Sequence, residues 1–111
     1  MAEIEGKEVK LSEQFDVDIA NIFEYGEETF GYTAAKIFIG EIYNLVWNLD
    51  NMYLSHPECK NIPTKSRMYR NIILGSYLII YRISSERIEV LKAISSRMSI
   101  SKIRGTRSIK I

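Results

Sequence analysis

Hydrophobic and polar positions alternate at the beginning of the chain and then change to a helical spacing. Val9 and Leu11 lie on one side of segment 7–11, which predicts a short strand. Ser12 suits a helix N-cap, because its hydroxyl can accept a hydrogen bond from the first turn. Apolar side chains then recur at helical spacing at Phe15, Ile19, Ile22 and Phe23. Gly31 is a natural terminator, so we predict a first helix between Ser12 and Gly31.

A second helix is predicted by an apolar stripe that follows Gly31. Thr33 can cap this helix. The stripe has spacings of four, three, four and three residues, and its members are Phe38, Ile42, Leu45, Leu49 and Met52. His56 and Pro57 end the helical region, where His56 can hydrogen-bond the last carbonyls. Because the link at Gly31 is short, the two helices should form an antiparallel hairpin.

The apolar pattern after residue 66 consists of short runs bounded by turns. Strands are predicted at Arg67–Leu74, Tyr77–Ile83 and Arg87–Ile94, separated by Gly75-Ser76 and by residues 84–86. Two successive hairpins make a three-stranded antiparallel meander. The nearly continuous apolar run of the middle strand is expected of a central strand. We therefore predict an α+β fold: an N-terminal strand, the helix hairpin, and a meander whose face buries the helical stripe.

The last residues differ in character from the predicted sheet. The tail after Ser95 is rich in bases and contains no acid, and its isoleucines look too sparse for a core element. A frayed tail, a weak helix and a segment ordered by a partner are all compatible with this pattern. We predict one domain over residues 1–98 and a basic C-terminal tail over residues 99–111.

Composition limits the compartment and the chemistry. The chain has 111 residues, of which 46% are hydrophobic, which is enough for one core. Cys59 is the single cysteine, so no internal disulfide can form and a reducing compartment is expected. The beginning MAEIEGKEVK is unlike a signal peptide, and no apolar run is long enough to span a bilayer. We expect a cytoplasmic protein with no cofactor and no metal site.

Charge is unevenly distributed although the net charge is only +1. Residues 1–56 hold three bases against eleven acids, whereas residues 57–111 hold twelve bases against three acids. A molecule polarised in this way can attract an acidic partner, either a nucleic acid or a protein. The alternative is that the two halves neutralise each other when they fold together.

The order of these elements and several of their residues resemble the RelE/ParE superfamily of toxins from type II toxin–antitoxin systems. The resemblance covers roughly residues 7–98. It is carried by EVKLSEQFDVDIANIFEYGEETFG (8–31), Ser-His-Pro (55–57), MYRNIILGSYLIIYRI (68–83) and IEVLKAISSR (88–97). The resemblance implies a cognate antitoxin that wraps the toxin with a helix and an extended segment.

The superfamily has a branch that cleaves messenger RNA on the ribosome and a ParE-like branch that binds DNA gyrase. In the cleaving branch, Arg70 and Arg97 would be the catalytic residues of this chain, as cations beside the scissile phosphate. However, Leu78 stands where cleaving members often carry Arg, Ser95 stands where many carry His, and no Tyr or His follows Ile83. We therefore favour a ParE-like, non-enzymatic toxin that inhibits growth and stabilises plasmids. A RelE-type ribonuclease acting on ribosome-bound messenger RNA and a degenerate, non-toxic binding module are the alternatives.

The residues expected to meet the target or the antitoxin are cationic or aromatic side chains of the late strands. They are Arg67, Arg70, Arg82, Arg97 and Tyr69. Each arginine could instead be solvated or paired with Glu86 or Glu89. The functional hypothesis requires that the helix hairpin cover one face of the sheet and leave these arginines free.

Overall fold

The helices and strands follow one another in the predicted order. A computed structural model describes residues 5–111. Its elements are β1 (Glu8–Leu11), α1 (Glu13–Phe30), α2 (Tyr32–Trp47), α3 (Leu49–Met52), β2 (Tyr69–Leu74), β3 (Tyr77–Ile83), β4 (Arg87–Ser95) and α4 (Ile100–Arg104), followed by a 3₁₀ turn at Gly105–Ser108. The predicted α+β architecture is therefore confirmed.

The late strands form the predicted antiparallel meander. A two-residue turn at Gly75 and Ser76 joins β2 to β3, and Gly75 adopts a φ of 58°, which suits glycine. β1 adds a fourth strand that runs parallel to β4, from Glu8 beside Arg87 to Leu11 beside Val90. The strand order is β1-β4-β3-β2, so β3 is a central strand as expected. The parallel pairing of β1 could not be read from the sequence, because it joins segments far apart along the chain.

The two long helices form an antiparallel hairpin. The Ser12 hydroxyl accepts a 2.9 Å hydrogen bond from the Phe15 N–H, which confirms the predicted N-cap. At Gly31, φ is 93° and α1 ends as predicted. Phe15 packs against Tyr43 near one end of the hairpin. Gly26 lies against Ala35 near the other, where a Cβ on Gly26 would be 3.3 Å from the Ala35 Cβ.

The second helix departs from its predicted beginning and end. α2 begins at Tyr32 immediately after Gly31, so the predicted cap at Thr33 is wrong. At Asn48, ψ is −8°, far from the helical value near −42°. The side chains of the last turn, α3, therefore point in directions that a continuous α2 would not give them. As a result Tyr53 is buried, whereas Met52, which the stripe placed in the core, is 49% exposed.

The core occupies both faces of the sheet. The helix hairpin covers one face, where the buried side chains are Phe15, Ile19, Ile22, Ile42, Val46, Leu49, Tyr53, Ile72, Ile79, Tyr81, Ile88, Val90 and Ala93. This burial confirms the predicted packing of helices on sheet. The other face carries a second cluster of Cys59, Ile62, Tyr69, Ile80, Leu91, Ile94 and Ile103. None of the helices within residues 5–111 combines the length and apolar character needed to cross a bilayer.

The basic tail takes part in this second cluster. Ser99 caps α4 by accepting a hydrogen bond from the Lys102 N–H, and the short helix places Ile103 on the sheet with 2% exposure. The weak helix, one of the three alternatives for the tail, is therefore confirmed. The expectation that its isoleucines are too sparse for the core is wrong, because Ile103 is buried in this cluster and Ile109 packs against it.

Candidate partner-binding site

The five predicted site residues are spread over the sheet and do not form one site. Arg97 follows β4 at the end of the sheet that carries the Gly75-Ser76 turn. Arg67 precedes β2 at the opposite end. The seven residues of β3 separate these ends by roughly 20 Å. The five side chains are therefore too far apart to belong to one compact partner-binding site.

Arg82 and Tyr69 belong to an internal cluster beneath the tail. The Arg82 Nε donates to the Glu89 carboxylate at 2.7 Å, and its Nη1 donates to the Tyr69 hydroxyl at 3.3 Å. Arg82 Nη2 donates to the Ile109 carbonyl at 3.3 Å, which ties the tail to the sheet. The side chain of Arg82 is 14% exposed, and Tyr69 is 8% exposed. This corrects the expectation that they face a partner; the alternative pairing of Arg82 with Glu89 is what the structure shows.

The electrostatics of this cluster favour its charged forms. Arg87 also contacts Glu89, with its Nη2 at 2.8 Å from Oε2. Burial by itself would raise the pKa of Glu89, but the hydrogen bonds and charges of Arg82 and Arg87 outweigh it and lower that pKa. Burial likewise opposes the charge of Arg82, but hydrogen bonds from Arg82 to Tyr69 and Glu89 raise its pKa. Both partners therefore remain charged at neutral pH.

Arg70 holds the loop that follows the helices. Its Nη1 donates to the His56 carbonyl at 2.9 Å and to the Leu54 carbonyl at 3.3 Å. Nearby, the Tyr81 hydroxyl donates to the Tyr53 carbonyl at 2.7 Å. The guanidinium is thus engaged in the fold, although its buried Nε has no hydrogen-bond partner within residues 5–111.

His56 packs against Tyr81, with ring centroids 6.2 Å apart and the rings nearly perpendicular. Within residues 5–111 its ring makes no hydrogen bond, so the expected cap on the helix carbonyls is not observed. Burial lowers the pKa of His56, which favours the neutral ring at pH 7.

Arg67 and Arg97 are the two predicted arginines that stand on the surface. Both are exposed, and neither has a carboxylate within 4 Å among residues 5–111. Arg67 occupies a turn with a φ of 54°, an uncommon conformation for a side chain of its size. Arg97 borders a shallow concavity of about 330 Å³ together with Tyr25, Ser76, Tyr77 and Ser95.

An aromatic surface continues from Arg97 toward the tip of the helix hairpin. Tyr25 and Tyr77 also line a neighbouring cavity of about 420 Å³, whose wall includes Phe30. Tyr25 is 58% exposed and Phe30 is 71% exposed. We name Tyr25, Phe30, Tyr77 and Arg97 the hairpin-tip surface. Sequence reasoning missed Tyr25 and Phe30, although aromatic residues among the glutamates of α1 are a usable signal.

The hairpin-tip surface contains no evident acid–base catalyst. Burial, and then the neighbouring Tyr25, raise the pKa of Tyr77, so its hydroxyl stays protonated at neutral pH. Ser95, the other hydroxyl beside Arg97, is a poor base without an activating neighbour. No cluster of His, Cys, Asp and Glu suited to a metal ion occurs in the part of the chain that the structure describes. The arrangement is suited to contact with another molecule.

Comparison with known proteins identifies the family. A family model described as "ParE toxin of type II toxin-antitoxin system, parDE" matches residues 9–100. The chain belongs to the ParE toxin family. This confirms the predicted membership of the RelE/ParE superfamily and agrees with its ParE-like branch. The sequence matches no curated protein.

A solved structure has the same fold. It is described as the chromosomal ParDE TA system from P. aeruginosa, and it superposes with a TM-score of 0.67. The match covers 83% of this chain and 98% of the other at 15% sequence identity. Identity this low supports a shared fold only, so the contacts of that protein cannot be transferred residue by residue.

Proposed function

We propose that this chain is the toxin of a type II toxin–antitoxin pair, that it inhibits growth by binding DNA gyrase, and that a cognate antitoxin neutralises it. Gyrase is a cytoplasmic enzyme, so the toxin would act in the cytoplasm, and carriage of the pair on a plasmid would stabilise that plasmid. The observation that supports the proposal most directly is the hairpin-tip surface, which combines exposed aromatic rings with the exposed guanidinium of Arg97, for which residues 5–111 offer no carboxylate within 4 Å. Binding energy at protein interfaces is concentrated in such side chains.

Binding is better supported than RNA cleavage by the surroundings of Arg97. Cleavage needs a group that removes the 2′-hydroxyl proton as well as cations beside the phosphate. The groups that border the Arg97 concavity are two tyrosines and two serines, and the pKa of Tyr77 is raised. Arg70, the other catalytic candidate, holds the backbone of the 54–56 loop. These contacts favour an inhibitor over a ribonuclease.

The test is inhibition of gyrase supercoiling by the purified chain. Wild-type protein should inhibit, and Tyr25→Ala and Arg97→Ala should each raise the concentration needed for half inhibition about tenfold, the loss typical of a contact worth about 1.4 kcal/mol. Trp47→Ala is a control, because Trp47 is 50% exposed but lies at the other end of α2, outside both cavities. Arg67→Ala is the corresponding control for a surface arginine, because Arg67 is exposed at the opposite end of the sheet.

The rival functions give different results in companion assays. Normal supercoiling at high toxin concentration would refute gyrase as the target. Cut messenger RNA in a translation extract, lost in Arg97→Ala, would assign the chain to the cleaving branch. Normal growth on expression without an antitoxin would indicate a degenerate binding module.

A further inference from the structure

The end of the chain lies on the face of the sheet opposite the long helices, and its charged side chains are all basic. Ile103 anchors α4 in the second cluster, and Arg82 Nη2 donates to the Ile109 carbonyl, so the segment is fixed at two points. Its four bases are Lys102, Arg104, Arg107 and Lys110, and residues 99–111 contain no Asp or Glu. All four bases are exposed, and none lies within 4 Å of a carboxylate among residues 5–111. The fold therefore holds four cations in place without pairing them to an acid of the described chain.

Two of these bases border a shallow concavity on the outside of the segment. The concavity has a volume of about 570 Å³ and lies between α4 and the 3₁₀ turn that follows it. Its lining brings Arg104 and Arg107 together with Ser101 and Ser108, and it includes no acid. All four side chains are exposed. Guanidinium groups and hydroxyls are among the donors that proteins use to bind phosphate, so the concavity suits a phosphate group.

The loop before β2 extends the basic surface. The Arg104 Nε donates to the Asn61 carbonyl at 3.3 Å, which places this loop beside α4. Lys60 is exposed and lines a neighbouring groove of about 390 Å³ whose wall includes Ile103. The acid that lines this groove, Glu58, is partly buried. We name Lys60, Lys102, Arg104, Arg107 and Lys110 the tail surface.

The helices on the other face of the sheet carry the reverse charge. Six acids of α1 and α2 are exposed: Glu13, Asp16, Glu24, Glu27, Glu28 and Glu41. Lys36 is the single base in the sequence of these two helices. A polyanion is therefore attracted to the tail surface and repelled by the helices, which favours one orientation of the molecule on it.

The tail surface combines cations and hydroxyls with no ring on which a base could stack. Residues 84–111 contain no Phe, Tyr, Trp or His, and neither do residues 58–66 of the loop. Proteins that bind single-stranded nucleic acid combine cations with aromatic side chains that stack on the bases. Arginine, lysine and serine alone instead suit the phosphates of a duplex, whose bases stay paired. Phosphate contacts carry no sequence information, so such binding is independent of sequence.

We propose that the tail surface binds the phosphate backbone of duplex DNA without sequence preference. Arg104 and Arg107 hold a phosphate in the concavity, and the lysines add positive charge around it. Four of the five bases lie beyond residue 100, where the match to the ParE toxin family ends, so this surface is a feature of the present chain. Attachment to DNA would keep the protein close to enzymes that act on DNA, and the proposed target is one of them.

The experiment measures how salt weakens the binding of DNA to the full chain. The probe is a short fluorescent DNA duplex of random sequence, and fluorescence anisotropy gives the binding constant between about 50 and 200 mM salt. Each phosphate that a base neutralises releases about 0.9 of a counterion. For five bases, the logarithm of the binding constant should therefore fall against the logarithm of the salt concentration with a slope of about −4. A duplex of a second, unrelated sequence should give the same constants.

Single substitutions locate the binding surface. Lys102→Gln and Arg107→Gln each remove one exposed charge and should make the slope shallower by about 0.9. Lys36→Gln is the matched control, because it removes one exposed charge from α2 on the side of the helices. It should leave the slope unchanged. Circular dichroism and thermal denaturation check that each variant is folded.

Each alternative result overturns a specific statement. Absence of binding at about 50 mM salt, or a slope near zero, would overturn the proposal as a whole. An equal change of slope in Lys36→Gln would show that net charge, and not the tail surface, drives binding. Tighter binding of single-stranded RNA would overturn the choice of duplex DNA, and tighter binding of polyglutamate would assign the surface to an acidic protein. The assay contains no gyrase and no antitoxin, so these results leave the proposed function untouched.

Discussion

Glu89 lies on the face of the sheet opposite the helices and binds two arginines at once. Its side chain is 11% exposed and contacts Arg82 at 2.7 Å and Arg87 at 2.8 Å. Removal of one member of a buried ion pair is costly, because the remaining charge loses its compensation. This cluster also orients the Arg82 guanidinium toward the Ile109 carbonyl. A single carboxylate therefore links β3, β4 and the tail.

Glu89→Gln should lower the free energy of unfolding by about 3 kcal/mol at pH 7. The pKa of Glu89 is lowered in the folded state, so its carboxylate stabilises the fold above the unfolded pKa of about 4.3. This contribution disappears as pH falls through the folded-state pKa. Urea denaturation of wild type and variant should therefore show a difference at pH 7 that shrinks below about pH 4.

Glu86→Gln is the control for the loss of a glutamate charge. Glu86 is exposed in the turn before β4, and its removal should change the free energy of unfolding by less than about 0.5 kcal/mol. A stability difference between wild type and Glu89→Gln that stays constant from pH 7 to pH 3 would contradict the assigned role of the carboxylate.

At the scale of the elements, a hydroxyl residue lies near the beginning of each long helix, but only that of α1 caps its helix. Ser12 accepts from the Phe15 N–H and also donates to the Leu91 carbonyl, so it joins α1 to β4. Thr33 lies inside α2, one residue beyond its beginning, and is exposed. A capping residue must precede the first helical residue to reach the free N–H groups. Only Ser12 meets this condition.

Ser12→Ala should reduce the free energy of unfolding by about 1 to 2 kcal/mol, because it removes the cap and the hydrogen bond to Leu91. Thr33→Ala should change it by less than about 0.5 kcal/mol. Thermal and urea denaturation of the two variants measure this contrast. Equal losses in both variants would show that Thr33 stabilises α2 in a way that its position does not explain.

At the scale of the whole molecule, few ion pairs join the acidic first half of the chain to the basic second half. Among residues 5–111, Lys92 and Asp18 form the one salt bridge that joins the acidic and basic parts of the chain. Within the described residues, neutralisation of the two halves through direct pairing is therefore limited to this one contact. Charges that are not paired within the molecule can attract partners over distances comparable to the Debye length, about 8 Å at physiological salt.

Removal of residues 99–111 tests whether the tail is an appendage or part of the fold. A chain ending at Met98 loses Ile103 and uncovers the second cluster, so its free energy of unfolding should fall by about 3 kcal/mol or more. Urea denaturation and binding of a hydrophobic dye measure the change. A chain ending at Ile109 is the control and should keep wild-type stability, because it retains the contact with Arg82. Wild-type stability in the shorter chain would support the domain boundary predicted at residue 98.

The sequence by itself determined the features that local physics controls. Ser12 and Gly31 mark the ends of α1 because capping and positive φ depend on residue type, and the Gly75-Ser76 turn determines the β2–β3 register. The candidate site was only partly predictable. Arg97 was predicted and is exposed. Tyr25 and Phe30 lie near it only because the tip of the helix hairpin packs beside the end of the sheet.

Only the tertiary structure decided which charged and apolar groups are used internally. Arg82 and Arg97 look alike in sequence, yet one is held by Glu89 and the other faces solvent. The parallel pairing of β1 and the burial of Ile103 likewise join segments far apart in the chain. Such contacts depend on how whole helices and strands are arranged relative to one another. The residue types along a short segment do not reveal that arrangement.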